Sequence, residues 1–180
     1  MDLLSEWSIK IAEVSVPEEV DLAPFFTEAF IEGGEEREQL FQQNQSNTEG
    51  AAGLVEGFAI FPWILRGITA GAQLLFQVLS SENVSRFITA INDSLEIKEK
   101  LTPKQNPREL PGNPSLRQNL QVLPDDPYKP LKQVMDIMSF ELQESGLSVD
   151  EADLVTFRVV RALLEEPSSA SLFIKKTLIV

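Results

Sequence analysis

The side chains available for chemistry in this chain are carboxylates, hydroxyls and a few cations. Its 180 residues include no His and no Cys, and 28 Asp and Glu stand against 15 Lys and Arg, for a formal net charge of -13. Imidazole is the usual general base near neutral pH and a common transition-metal ligand, so its absence closes many routes to hydrolysis and redox chemistry. Without Cys there are no disulfides, thiolate nucleophiles or zinc ribbons, which fits a reducing compartment. A Ser–Lys arrangement is the remaining way to activate a hydroxyl. None of the lysines (Lys10, Lys98, Lys100, Lys104, Lys129, Lys132, Lys175, Lys176) falls on an apolar helical face where burial would depress its pKa. Paired carboxylates for glycoside hydrolysis need a sugar cleft rich in Trp and Tyr, and only 2 Trp and 1 Tyr are present.

Acid is concentrated near the start. Glu18, Glu19, Asp21, Glu35, Glu36 and Glu38 form a cluster, and residues 1–56 hold only two basic residues, Lys10 and Arg37. The cluster lacks the D-x-D-x-D-G spacing of a hard-cation loop and reads as a solvated acidic face. Neither a G-x-x-x-x-G-K-[ST] nor a G-x-G-x-x-G motif occurs. These residues imply no enzyme, no cofactor and no metal site.

One basic residue stands out. Arg66 is the only cation between Arg37 and Arg86, and it lies inside the longest apolar run, residues 50–79. Arg66, Thr69, Gln73 and Gln77 follow at steps of three, four and four, a narrow polar stripe on an otherwise apolar helix. The bland reading of Arg66 is a guanidinium that reaches water or pairs with Glu56 or another carboxylate. The sharper one is an anchor for an anionic group or a partner's carboxylate. Two glycine pairs, Gly53 with Gly57 and Gly67 with Gly71, each allow another backbone to approach a helix closely. These eight residues are the interaction candidates.

The elements that must carry them read mainly as helices. Residues 8–16, with Ile9, Ile11, Val14 and Val16 ahead of Pro17, suggest a short strand. Leu22, Phe25, Phe26, Ala29 and Phe30 recur at helical steps behind Asp21 as N-cap, with Pro24 in the first turn and Gly33-Gly34 as the stop. A short helix over 35–43 turns Leu40 and Phe41 inward. Pro62 interrupts the apolar run, leaving a Gly- and Ala-rich piece over 50–60 and a central helix over about 63–80. The modest hydropathy of that run and its polar stripe favour a buried core helix over a membrane span. Val84, Phe87, Ile88, Ile91 and Leu95 mark a helix over about 82–100.

Seven of the 11 prolines fall within 101–130, which reads as a linker or docked strap. Pro130 then opens a helix, Gly146 closes it, and Ser148 with Glu151 forms a capping box for a helix over about 149–166. Pro167 ends that hairpin, and the terminal SLFIKKTLIV suggests a last strand, a candidate to pair with residues 8–16.

The expected fold is mainly α: an acidic helical core over 1–100 around the central helix, a Pro-rich strap over 101–130, and a helical hairpin over 131–180 packed on the core, with two short terminal strands. The expected function is a non-enzymatic interaction, assembly or regulatory subunit of a cytoplasmic protein complex, with a protein partner that offers a basic surface or a second copy of the chain. The net charge disfavours nucleic acid and anionic membrane as partners. Two alternatives are a membrane-active protein that inserts residues 50–79, and an acidic mimic of nucleic acid that blocks a basic protein site.

Overall fold

The chain enters its first helix at Asp2. The Asp2 Oδ1 accepts the backbone N–H groups of Leu4 at 2.7 Å and Ser5 at 3.1 Å, which satisfies two of the donors a helix start leaves free. Those two backbone donors, Ser5 first, hold the Asp2 carboxyl below its ordinary value. A computed structural model describes residues 2–42, 59–101 and 127–178 of the protein, and among them there are nine helices and no strand. They are α1 (Leu3–Ser15), α2 (Ala23–Glu32), α3 (Gly34–Gln42), α4 (Phe61–Ala70), α5 (Ala72–Leu79), α6 (Val84–Leu101), α7 (Lys129–Glu144), α8 (Val149–Glu165) and α9 (Pro167–Thr177). A 3-10 turn, Pro17–Glu19, joins α1 to α2. The residues of the expected strap, but for its two ends, and the pair Gly53 and Gly57 lie outside the described residues.

Both expected terminal strands are helices instead. In α1 the buried residues are Trp7, Ser8, Ile11, Ala12 and Ser15, a spacing of one, three, one and three that only a helix places on one side. The alternation of β-branched residues misleads because two of its members, Ile9 and Val14, do not belong to that buried face. Serine becomes compatible with burial by turning inward on its own helix: Ser8 Oγ donates to the Leu4 carbonyl at 2.6 Å. Ser8 Oγ also meets Thr27 Oγ1 of α2 at 2.6 Å, and Thr27 donates to the Ala23 carbonyl. At the other end, Pro167 closes α8 and also starts α9, because a residue without an N–H is tolerated in a first turn. Ala170, Phe173, Ile174 and Thr177 form the buried face of α9. The two termini do meet, but as helices. Trp7 stacks on Phe173 with centroids 5.9 Å apart, Trp7 Nε1 donates to Ser169 Oγ at 2.8 Å, and Lys10 pairs with Glu166 at 2.7 Å.

The central apolar helix is present as two pieces. Pro62 sits in the first turn of α4, and the run divides at Gly71, whose φ of -88° and ψ of 2° leave helical geometry before α5 resumes. Phe61, Ile64, Leu65, Ile68 and Leu75 have no solvent exposure and form the centre of the core with Phe30, Val134, Met138 and Val159. The α7–α8 hairpin supplies much of that core. Its α7 packs along α4 and α5, while α8 packs against α6 and α1. The Ser148 capping box is formed in both directions: Glu151 N–H donates to Ser148 Oγ, and Ser148 N–H donates to Glu151 Oε2 at 3.1 Å.

Candidate functional site

Gly33 and Gly34 have φ of 75° and 56°, a left-handed pair that L side chains rarely adopt and that turns the chain sharply from α2 into α3. The turn lays α3 beside α2 and leaves an open groove between them. Phe25, Glu28, Ala29 and Glu32 of α2 line one side, at helical steps of three and four, and Glu36 and Leu40 of α3 line the other. The cavity is about 250 Å³, below the range of about 300–1,000 Å³ that suits a whole small-molecule ligand and of a size to take a side chain or two. Its most prominent apolar member is Phe25, 63% exposed, whose ring lies 6.2 Å from that of buried Phe26.

Sequence periodicity assigns Phe25 to the same inward face as Phe26, Ala29 and Phe30. Only the last three are buried, while Leu22 and Phe25 face solvent. The apolar arc of α2 is wider than the core can cover. The signal that separates Phe25 from its neighbours is Glu28 and Glu32, three and seven residues on, which flank it with charge.

Glu28, Glu32 and Glu36 form no ion pair among the described residues. They also do not converge as ligands, since no cluster of three or more such side chains among the described residues is arranged to hold a metal ion. The groove therefore combines an apolar floor with a rim of unpaired negative charge.

A second open cavity, about 340 Å³, lies on the other side of α3 and is lined by Gly34, Arg37, Glu38, Phe41 and Arg66. Here the Arg66 candidate finds its surroundings. Its Nε pairs with Glu141 Oε2 of α7 at 2.8 Å, and its guanidinium carbon lies 5.2 Å from the Trp63 ring centroid and 5.6 Å from that of Phe41. The carboxylate partner is Glu141, 75 positions further along the chain, one of the other carboxylates left open beside Glu56, and the Arg66 side chain remains 45% exposed. Arg37 rests on the Phe30 ring at 4.1 Å. Of the rest of the stripe, Gln73 and Gln77 are exposed, and Thr69 is half-buried with its hydroxyl directed to the Leu65 and Arg66 carbonyls. The stripe shares one surface of α4 and α5 but does not line either cavity beyond Arg66.

The remaining glycine pair serves the interior. A Cβ on Gly67 would stand 3.3 Å from the Met138 backbone Cα, so α4 and α7 pass closely at Gly67. A Cβ on Gly71 would meet the Gly67 carbonyl oxygen at 3.3 Å. The close crossing is seen at Gly67, within one chain, while Gly71 meets only the preceding turn of its own helical run.

One member of the acidic cluster behaves differently from the rest. Glu19 is buried, and its carboxylate accepts the N–H of Ile60 at 2.7 Å and of Phe61 at 2.9 Å. It caps the start of α4 from 41 positions upstream, where no local side chain does so. Burial pushes its carboxyl above the ordinary value, against the two backbone donors, which favour the charged form; the nearby Glu18 adds to the rise. Sequence offers no sign of this, because the donors it serves are distant in the chain.

No helix among the described residues is long and apolar enough to cross a membrane. Comparison of the chain with family models, with curated proteins and with solved structures finds no match.

Proposed function

We propose that the protein is a non-enzymatic interaction or assembly subunit, and that it holds a segment of a partner protein in the α2–α3 groove. The observation that carries this reading is Phe25, a large aromatic ring 63% exposed beside a side-chain-sized cavity floored by Ala29 and Leu40. Exposed aromatics set in a concave surface are the usual anchors of protein contacts, since burying one removes a large apolar area from water. The lack of His and Cys supports a binding role over a catalytic one, and a Cys-free chain suits a cytoplasmic complex.

A photo-reactive amino acid placed at position 25 and, in a separate protein, at the exposed Leu172 provides the test in cells that make the protein. The expected outcome is one dominant cross-linked product from position 25 that is missing from position 172. Its mass distinguishes a different protein from a second copy of this chain. Equal, diffuse cross-linking from both positions would remove the groove as a docking site.

A further inference from the structure

We infer that the segment seated in the α2–α3 groove is a cationic amphipathic helix of a partner protein, an inference that rests on the docking role proposed above. Glu28 and Glu32 are four residues apart on α2, about 6 Å along the axis. The same rise separates basic side chains one turn apart on an opposing helix, so a Lys or Arg pair at i and i+4 can face both carboxylates while an apolar residue between them enters the cavity beside Phe25. Glu36 supplies the third negative group, from the α3 side. No cation lines this cavity, and none of its three glutamates is ion-paired among the described residues, so the rim charge is uncompensated. A chain of net charge -13 also repels a second copy of itself and attracts a basic segment over long range.

The test uses the full chain and three labelled helical peptides: one of Leu and Lys, one of Leu and Glu with the same apolar pattern, and one that keeps the lysines but replaces every Leu with Ser. Binding is read by fluorescence anisotropy at low and high salt, with circular dichroism to confirm that each variant is folded. The expected result is binding of the Leu–Lys peptide alone, weakened about tenfold or more by Phe25→Ser and by raised salt. The triple variant Glu28→Lys, Glu32→Lys, Glu36→Lys should lose that peptide and acquire the Leu–Glu one. A remote triple, Glu82→Lys, Asp93→Lys, Glu144→Lys, changes the net charge equally and should weaken binding less than about threefold.

Equal loss in the remote triple would reduce the effect to general attraction and overturn the inference. Binding of both Leu peptides, lost in Phe25→Ser but insensitive to salt and to charge reversal, would keep the groove as a docking site while refuting a basic partner. Binding unaffected by Phe25→Ser, or none at all, would refute the docking reading itself.

Discussion

Helices α3 and α4 are nearly equal in length, at 9 and 10 residues, and are successive among the described helices, yet they are held by opposite means. Seven residues of α4 are buried, among them Trp63, Ile64, Leu65 and Ile68, and its first turn is tied down by Glu19. In α3 no residue is buried. It touches the rest of the molecule through half-buried Arg37, Leu40 and Phe41, with Arg37 on the Phe30 ring and the Phe41 ring 5.0 Å from Trp63 and 6.4 Å from Phe30. The contrast places stability in one helix and an accessible surface in the next. A helix with few buried apolar contacts opens locally at low free-energy cost, which suits a surface that has to adjust to a partner.

The strongest way to break this contrast is to truncate each helix at an apolar residue that packs on the core. Ile68→Ala in α4 should lower unfolding stability by about 2–5 kcal/mol, measured by urea titration. Leu40→Ala in α3 should cost about 1 kcal/mol or less, because the side chain is only partly removed from water. Equal losses would make α3 an ordinary part of the core.

The next largest effects concern how α4 is fixed. Glu19→Ala leaves the Ile60 and Phe61 amides without their acceptor and should cost about 1–3 kcal/mol, with faster hydrogen exchange at those amides. Gly67→Ala forces a methyl group to within 3.3 Å of the Met138 Cα and should destabilise by about 1–3 kcal/mol through overpacking.

A smaller effect is a pH dependence. The folded Glu19 carboxyl is raised above its ordinary 4.5, so the native state binds this proton more strongly than the unfolded chain does. The stability that this protonation contributes is fully present below about pH 4.5 and is lost as pH rises through the folded value. Wild type should therefore lose stability relative to Glu19→Gln between pH 4 and neutrality, a trend visible in parallel denaturant titrations. A difference that stays constant across that range would show that Glu19 titrates alike in both states. Smallest of all, Phe25→Ser should change stability by no more than about 0.5 kcal/mol, since its ring is already mostly in water. A loss comparable to that of Ile68→Ala would mean that Phe25 supports the fold and is not held available for binding.

Much of the helical framework is legible from neighbours in sequence. The Ser148–Glu151 box, Gly33-Gly34, Pro24 and Pro130 mark helix ends through groups no more than four residues apart. The apolar steps of α6 agree with its buried face, as Phe87, Ile91 and Leu95 show. In the terminal segments β-branched content competes with helical spacing, and the buried faces of α1 and α9 follow the helical spacing where the two pack together. The candidate groove is legible only in part: Glu28 and Glu32 set the Phe25 face apart from that of adjacent Phe26, but the Glu36 and Leu40 side of the groove depends on how α3 folds back on α2.

By itself the sequence determined that the protein is acidic, lacks imidazole and thiol chemistry, and builds most of its chain from amphipathic helices. Those properties depend on composition and on i to i+4 neighbours. Tertiary structure alone decided that Glu19 caps a helix 41 positions away, that Gly67 meets Met138, that Arg66 pairs with Glu141, and that Phe25 remains exposed. Each of these depends on which helix lies across from the residue, and local periodicity specifies that a face is apolar or polar without specifying its partner.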